Sequence, residues 1–279
     1  MRKILSLLLI PCCIARVIAQ PYADPLNIRY TMALEGKHPA GTPFRHLYVG
    51  SDMPLRLNSG KLFVISPYFE SWNIDSAGNK AYLPTVSTVA LPLVAQLPLV
   101  KDKWAVQFGV IPRYNSEGLQ INGTSFQVGG IVVANYIKSP TLKYRFGLYV
   151  NKEFFGAFIV PLAGIDWKIN KNDYLYGLLP GRLSFEHRLS NRFYCGSNFR
   201  FITSSYLLSN GDYLRIDDNQ LSAYLDFYPA KRVVFTGEAG YGIFRKLRSG
   251  NGPNKNYGTD YNWNDGLFIR VNASYRIRL

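Results

Sequence analysis

The sequence predicts an all-β chain closed into a single antiparallel transmembrane β-barrel of about 14 strands, as membrane barrels with an even strand number are built. Three observations predict it. Apolar and polar residues alternate over long segments, connections alternate between short polar turns and longer polar loops, and aromatic residues gather beside the short turns. The segments run to about ten residues, which a tilted strand needs to cross a bilayer, whereas globular strands average about five or six.

The chain opens with Met1-Arg2-Lys3, an apolar run from Ile4 to Ile10, and short residues before Ala19-Gln20. That is the layout of a secretory signal peptide, with cleavage expected after Gln20. The apolar run is broken at Pro11-Cys12-Cys13 and falls well short of the roughly 20 residues of a spanning helix. Residues 1–20 are therefore read as signal and 21–279 as the barrel domain. Loss of Arg2, Lys3 and Arg16 lowers the formal charge from +14 to +11. In an exported chain a positive balance points to anionic lipid or anionic solutes and away from nucleic acid. Cys12 and Cys13 leave with the signal, so Cys195 has no partner for an intramolecular disulfide.

Alternation places the strands in order at 26–35, 46–57, 60–73, 83–98, 103–114, 125–138, 141–151, 156–169, 172–179, 182–189, 192–206, 213–228, 231–246 and 265–279. In the first, Leu26, Ile28, Tyr30, Met32 and Leu34 share one face and Asn27, Arg29, Thr31 and Glu35 take the other, the period of two that a strand imposes. The same split separates Leu142, Tyr144, Phe146, Leu148 and Val150 from Lys143, Arg145, Gly147, Tyr149 and Asn151. It returns at the C-terminus, where Leu267, Ile269, Val271, Ala273, Tyr275, Ile277 and Leu279 oppose Arg270, Asn272, Ser274, Arg276 and Arg278. The count depends on reading Leu179-Pro180-Gly181 as a turn rather than a bulge; a further merger near Phe44 to Leu57 would leave 12 strands.

Short turns are expected at Asn58-Ser59-Gly60, Val100-Lys101-Asp102, Ser139-Pro140, Asn170-Lys171-Asn172, Ser190-Asn191 and Pro229-Ala230-Lys231. Every short connection then falls on the periplasmic side, with longer loops on the other, as in membrane barrels. Trp104, Tyr136, Tyr144, Trp167, Tyr174, Phe193, Phe227 and Tyr275 stand near the turns, where rings with a polar tip form a girdle at the head groups.

Closure follows from the solvent, since each unpaired backbone group in hydrocarbon costs several kcal/mol. Arg29, Arg113, Lys143, Arg145, Arg200 and Arg270 lie opposite the apolar face and are expected to point into the lumen. A lipid-facing Arg or Lys at midplane would cost roughly 2–4 kcal/mol. Glu35, Asp166, Glu186, Asp226 and Glu238 share the inward faces but are fewer. Two interiors fit this pattern: ion pairs that fill the lumen, to which Tyr149, Tyr224 and Phe244 would add bulk, or an anion-leaning channel.

Catalytic constellations are sparse. His38, His46 and His187 are the only histidines, and neither His46 with Ser51 nor His187 with Ser190 has nucleophile-elbow spacing. Adjacent Asp217 and Asp218 on a strand would face opposite ways, so a bulge or loop is expected there. Gly129-Gly130 and Gly240-Tyr241-Gly242 sit within strands and read as close-packing or curvature positions rather than phosphate loops. The run Arg248 to Gly258 reads as a surface-recognition loop or a mobile hydrated one, with mobility the default. No catalytic residue, cofactor-binding residue or metal ligand is assigned.

The signal ending Ile18-Ala19-Gln20, the hairpin Ile165 to Asn172 followed by Leu178-Leu179-Pro180, and the closing Tyr275-Arg276-Ile277-Arg278-Leu279 resemble the uncharacterised outer-membrane β-barrel proteins of Bacteroidetes-type bacteria. Asp75-Ser76-Ala77 likewise resembles the O-glycosylation sequence of that phylum. The final Leu279 departs from the aromatic that often ends such barrels. The resemblance covers the mature chain and implies an outer-membrane location without an activity.

The functional expectation is a structural or accessory role in an outer-membrane assembly. Its alternative is a passive or selective channel for small, preferably anionic solutes, and a lipid-modifying enzyme ranks behind both. Outer-membrane lipid, lipopolysaccharide and other outer-membrane proteins are the expected partners, with no nucleic acid and no cofactor.

Overall fold

The computed structural model describes residues 21–33, 43–57, 60–75, 83–99, 103–254, 257–261 and 263–278. Residues 1–20 and Leu34, Glu35, His38, Ser76, Ala77 and Leu279 lie outside them. No described helix is long and apolar enough to cross a membrane.

The first passes are β1 (Tyr22–Ala33), β2 (Phe44–Gly50), β3 (Met53–Arg56), β4 (Leu62–Ile65), β5 (Tyr68–Ile74), β6 (Val86–Ala90) and β7 (Leu93–Pro98). The wall continues with β8 (Trp104–Glu117), β9 (Phe126–Ser139), β10 (Leu142–Glu153), β11 (Gly156–Lys168), β12 (Asp173–Leu179) and β13 (Arg182–Arg188). It ends with β14 (Phe193–Leu207), β15 (Tyr213–Ala230), β16 (Val233–Gly250), β17 (Tyr257–Asp260) and β18 (Gly266–Arg278). Fourteen of these pair antiparallel in a closed ring, sealed where Tyr22 faces Arg278 and Ala33 faces Phe268. β3, β4, β7 and β17 lie outside it.

Three expected single strands are broken, at Ser51-Asp52, Ser66-Pro67 and Leu91-Pro92. A proline has no N–H for the ladder, and the breaks instead carry bonds from Ser51 N–H to the Pro67 carbonyl (3.0 Å), Ser66 N–H to Pro92 (3.0 Å) and Leu91 N–H to Pro112 (2.9 Å). Below this seam β3, β4 and β7 pair in turn and join β8. The long final loop also holds more structure than expected, because β16 runs to Gly250 and β17 pairs with its end.

The wall is apolar outside and polar inside. Along β15, Leu221, Leu225 and Phe227 are 55%, 47% and 38% exposed, while Gln220, Ser222, Tyr224 and Asp226 between them are buried. Soluble proteins bury the opposite set, and a lipid-facing exterior accounts for the inversion. Near the short turns Trp104 packs on Tyr136 (centroids 4.9 Å apart) and Phe193 on Phe227 (5.1 Å). Tyr174 departs from the girdle. Its neighbour Asp173 meets His187, so Tyr174 takes the inward parity and donates its hydroxyl to Asp166.

Phe244 was expected in the lumen but is 74% exposed. The β15–β16 register slips between Asp217 and Asn219, and Phe244 opposite the slip has φ 53°. The bulge turns Phe244 outward and carries Arg245 and Leu247 inward. It also realises the irregularity expected at Asp217-Asp218.

Leu179-Pro180-Gly181 is a turn, joining the short strands β12 and β13. This turn and the tight Phe154-Phe155 hairpin lie at the loop end, so the short connections are not all on one side. Because β12 and β13 stop early, β11 over 156–162 and β14 over 201–207 lack a β12 or β13 neighbour. Pro161 sits on that part of β11, an edge position that suits a residue without a donor.

The corresponding edge of β14 bends inward until Leu207 bridges Ser116 of β8 in parallel. Side chains replace the missing strand there. Glu153 accepts from the Ser205 N–H (3.1 Å), and Asn115 donates to the Ser205 carbonyl (2.9 Å). The opposite face of this bent sheet packs Tyr206, Leu214, Ile216 and Leu247 against Phe44, Trp72, Val86 and Trp263. An apolar cluster therefore lies across the interior at the loop end.

Candidate functional site

Inward alternation brings charged side chains from every part of the wall into one interior. Most are matched. Arg113 meets Glu153, and Lys143 meets Asp166 at 2.9 Å. Arg270 meets Glu238 at 2.7 Å, and Arg278 meets Glu186 at 2.7 Å. Arg276 divides itself between Asp24 and Asp226, each at 2.7 Å. At the bulge Arg245 meets Asp218 at 2.8 Å, and Asp217 takes Arg215 at 2.9 Å and Arg248 at 2.6 Å.

The six basic residues singled out from the sequence thus occupy different settings. Arg113, Lys143 and Arg270 are ion-paired. Arg145 donates only to neutral groups, Asn135 Oδ1 at 3.0 Å and Gln107 Oε1 at 2.7 Å. Arg29 and Arg200 line a common cavity with Arg182 and Arg276, together with Asp24, Asp226 and Glu238. Its volume of about 50 Å³ holds a few waters at the roughly 10–15 Å³ each requires.

Four arginines line this cavity against three carboxylates, and Arg270, outside the lining, holds Glu238. Arg276 and Arg270 engage all three carboxylates. Arg29 rests over the Tyr48 ring at 4.3 Å. Arg182 finds Ser184 Oγ at 2.9 Å and, at 3.4 Å, Tyr22 Oη and Asn198 Oδ1. Arg182 and Arg200 are direct cross-strand neighbours, a like-charge placement that destabilises a sheet. The cavity is therefore electropositive by construction.

Arg182 and Arg276 were missing from the sequence selection. Arg276 lies in the polar register already visible in 267–279, and alternation alone would have added it. Arg182 begins a short strand after an ambiguous turn, where too few residues follow to set the parity.

The two described histidines stand elsewhere. His46 is stacked on Trp72 (3.8 Å between centroids) beside the apolar cluster and bonds Glu70 at 3.2 Å. His187 bonds Asp173 at 2.6 Å near a short turn. Neither bond brings a hydroxyl or thiol nucleophile. Among the described residues no group of three or more His, Cys, Asp and Glu side chains is placed to hold a metal.

No family model matches the chain, and no curated protein matches it. Solved structures do. The NanC porin is 10% identical with a TM-score of 0.42, covering 90% of this chain and 100% of that one. A deletion mutant of the TodX monoaromatic hydrocarbon channel is 10% identical with a TM-score of 0.37, covering 92% and 90%. A mutant Rh. blastica porin is 8% identical with a TM-score of 0.29, covering 90% and 99%.

Proposed function

We propose that the protein is an outer-membrane channel for small anionic solutes, exported by removal of residues 1–20 and seated in lipid and lipopolysaccharide through its apolar exterior. The observation that carries this reading is the interior cavity lined by four arginines and three carboxylates, with Arg29, Arg182 and Arg200 outside ion-pair distance of any described carboxylate. A fixed positive surplus in a low-dielectric enclosure concentrates anions and repels cations. The apolar cluster around Trp72 and Trp263 acts as the barrier at the loop end, where a dry constriction gates by excluding water.

A purely structural or accessory role gives no reason for unmatched buried arginines. A lipid-modifying role needs a nucleophile at His46 or His187, and the side-chain bonds these two make go to Glu70 and Asp173. Planar-bilayer recording in a salt gradient tests the channel reading. Anion selectivity is expected, with Arg29→Gln and Arg200→Gln moving the reversal potential toward the cation side. Absence of conductance, or cation selectivity in the parent protein, would overturn it.

A further inference from the structure

We infer that Arg29, Arg182 and Arg200 form a binding site for a doubly charged oxyanion of the phosphate and sulfate class. This deepens the channel reading, resting on the same cavity while making a claim about equilibrium binding.

Three observations converge. Arg182 and Arg200 face each other across the β13–β14 ladder, and no carboxylate meets either within ion-pair distance. The Nε atoms of Arg29 and Arg200 are buried without a hydrogen-bond acceptor. The neighbouring carboxylates are already engaged: Glu238 Oε1 accepts from Arg270 (2.7 Å) and Ser222 (2.5 Å), while Asp24 and Asp226 hold Arg276.

Charge decides the class of ligand. Three guanidinium groups around the cavity, Arg29, Arg182 and Arg200, have no described carboxylate within ion-pair distance, so a dianion compensates more of their charge than a monoanion does. Buried unpaired charge is costly. Geometry agrees, because guanidinium forks match tetrahedral oxyanions and bind them with charge-assisted hydrogen bonds. One compact group carrying both charges also suits a cavity of about 50 Å³ better than two separated carboxylates would. Asn198 lines the same space, and its side-chain amide offers a neutral donor to a remaining oxygen.

The test is titration calorimetry of the folded full-length barrel in phosphate-free detergent buffer, with inorganic phosphate, sulfate and nitrate as separate probes. Phosphate and sulfate should bind at least about tenfold more tightly than nitrate, and Arg182→Gln or Arg200→Gln should each weaken sulfate about tenfold, the loss of one charge-assisted contact. Heat-modifiable gel mobility checks folding. Should Arg182→Gln not fold, Arg182→Lys keeps the charge, removes the fork and should still weaken sulfate.

Equal affinity for nitrate and sulfate, or unchanged sulfate binding in both folded variants, would overturn the site. Phosphorus that co-purifies and enters organic solvent identifies a lipid headgroup as the occupant, and phosphorus left in the aqueous phase identifies the free ion. Sulfate binding in a barrel silent in bilayers removes the channel and keeps the site. Anion conductance without sulfate binding does the reverse.

Discussion

Glu153 at the tip of β10 accepts the backbone N–H of Ser205 on β14 at 3.1 Å and its hydroxyl at 2.6 Å, linking strands that are not neighbours in the ring. The same carboxylate takes Arg113 and Asn151, and its side chain is fully buried. One acid thus terminates an open sheet edge and neutralises a buried arginine.

Glu153→Ala should therefore be among the most damaging single substitutions. It strands Arg113 and leaves the Ser205 N–H unmatched, and breaking a buried pair by removing one partner costs about 3–5 kcal/mol. Urea unfolding in detergent, followed by the shift in gel mobility, measures the loss. Adding Arg113→Leu should recover part of it, because the uncompensated charge goes while the open edge remains. A loss below about 1 kcal/mol, the range of exposed pairs, would contradict this role.

Glycine at 240 answers to packing. A Cβ there would meet the Leu221 carbonyl, the Phe268 ring and Ser222 Cβ, at 2.5, 2.5 and 2.6 Å. Gly240→Val should cost about 1–3 kcal/mol by overpacking, read from the same unfolding curve. Gly237→Ala, where nothing stands within 4 Å, is the control and should unfold close to the parent midpoint.

Gly240 shows what period-two alternation conveys. It placed the glycine within a strand, and it placed most inward and outward faces, because a lipid exterior and polar interior impose one rule along the wall. It could not convey where the wall leaves the ring. Ser205 falls on the exterior parity of β14, yet it is fully buried under the β10–β11 turn, since that part of β14 bends inward. Phe244 was misplaced because one bulge residue inverts every face beyond it. The cavity was half legible: Arg29 and Arg200 came from alternation, but Arg182 needed the register that puts it opposite Arg200.

The loop-end cluster supplies a prediction about conductance. Trp263 is 3% exposed, with its ring edge-on to Trp72 at 6.4 Å and to Phe44 at 5.4 Å. Trp263→Ala removes the largest part of the barrier at a cost of about 3–5 kcal/mol in stability. Conductance per channel should rise in planar bilayers while anion preference stays, because the cavity arginines lie elsewhere and Arg245, whose guanidinium covers the Trp263 ring at 5.4 Å, keeps its pair with Asp218. A change in selectivity without a change in conductance would place the barrier away from this cluster.

The opposed pair Arg182 and Arg200 predicts a stability effect whose sign depends on the buffer. In nitrate or chloride, Arg200→Gln relieves a like-charge cross-strand contact and should raise stability by about 0.2–1 kcal/mol. In saturating sulfate the parent gains binding energy that the variant largely lacks, since a ligand held only by the folded state stabilises it by mass action. The order should then reverse, with the parent unfolding at the higher urea concentration. A structural role for Arg200 alone would lower stability in both buffers by the same amount, so the crossing of the two orders is the result that separates a ligand site from a packing residue.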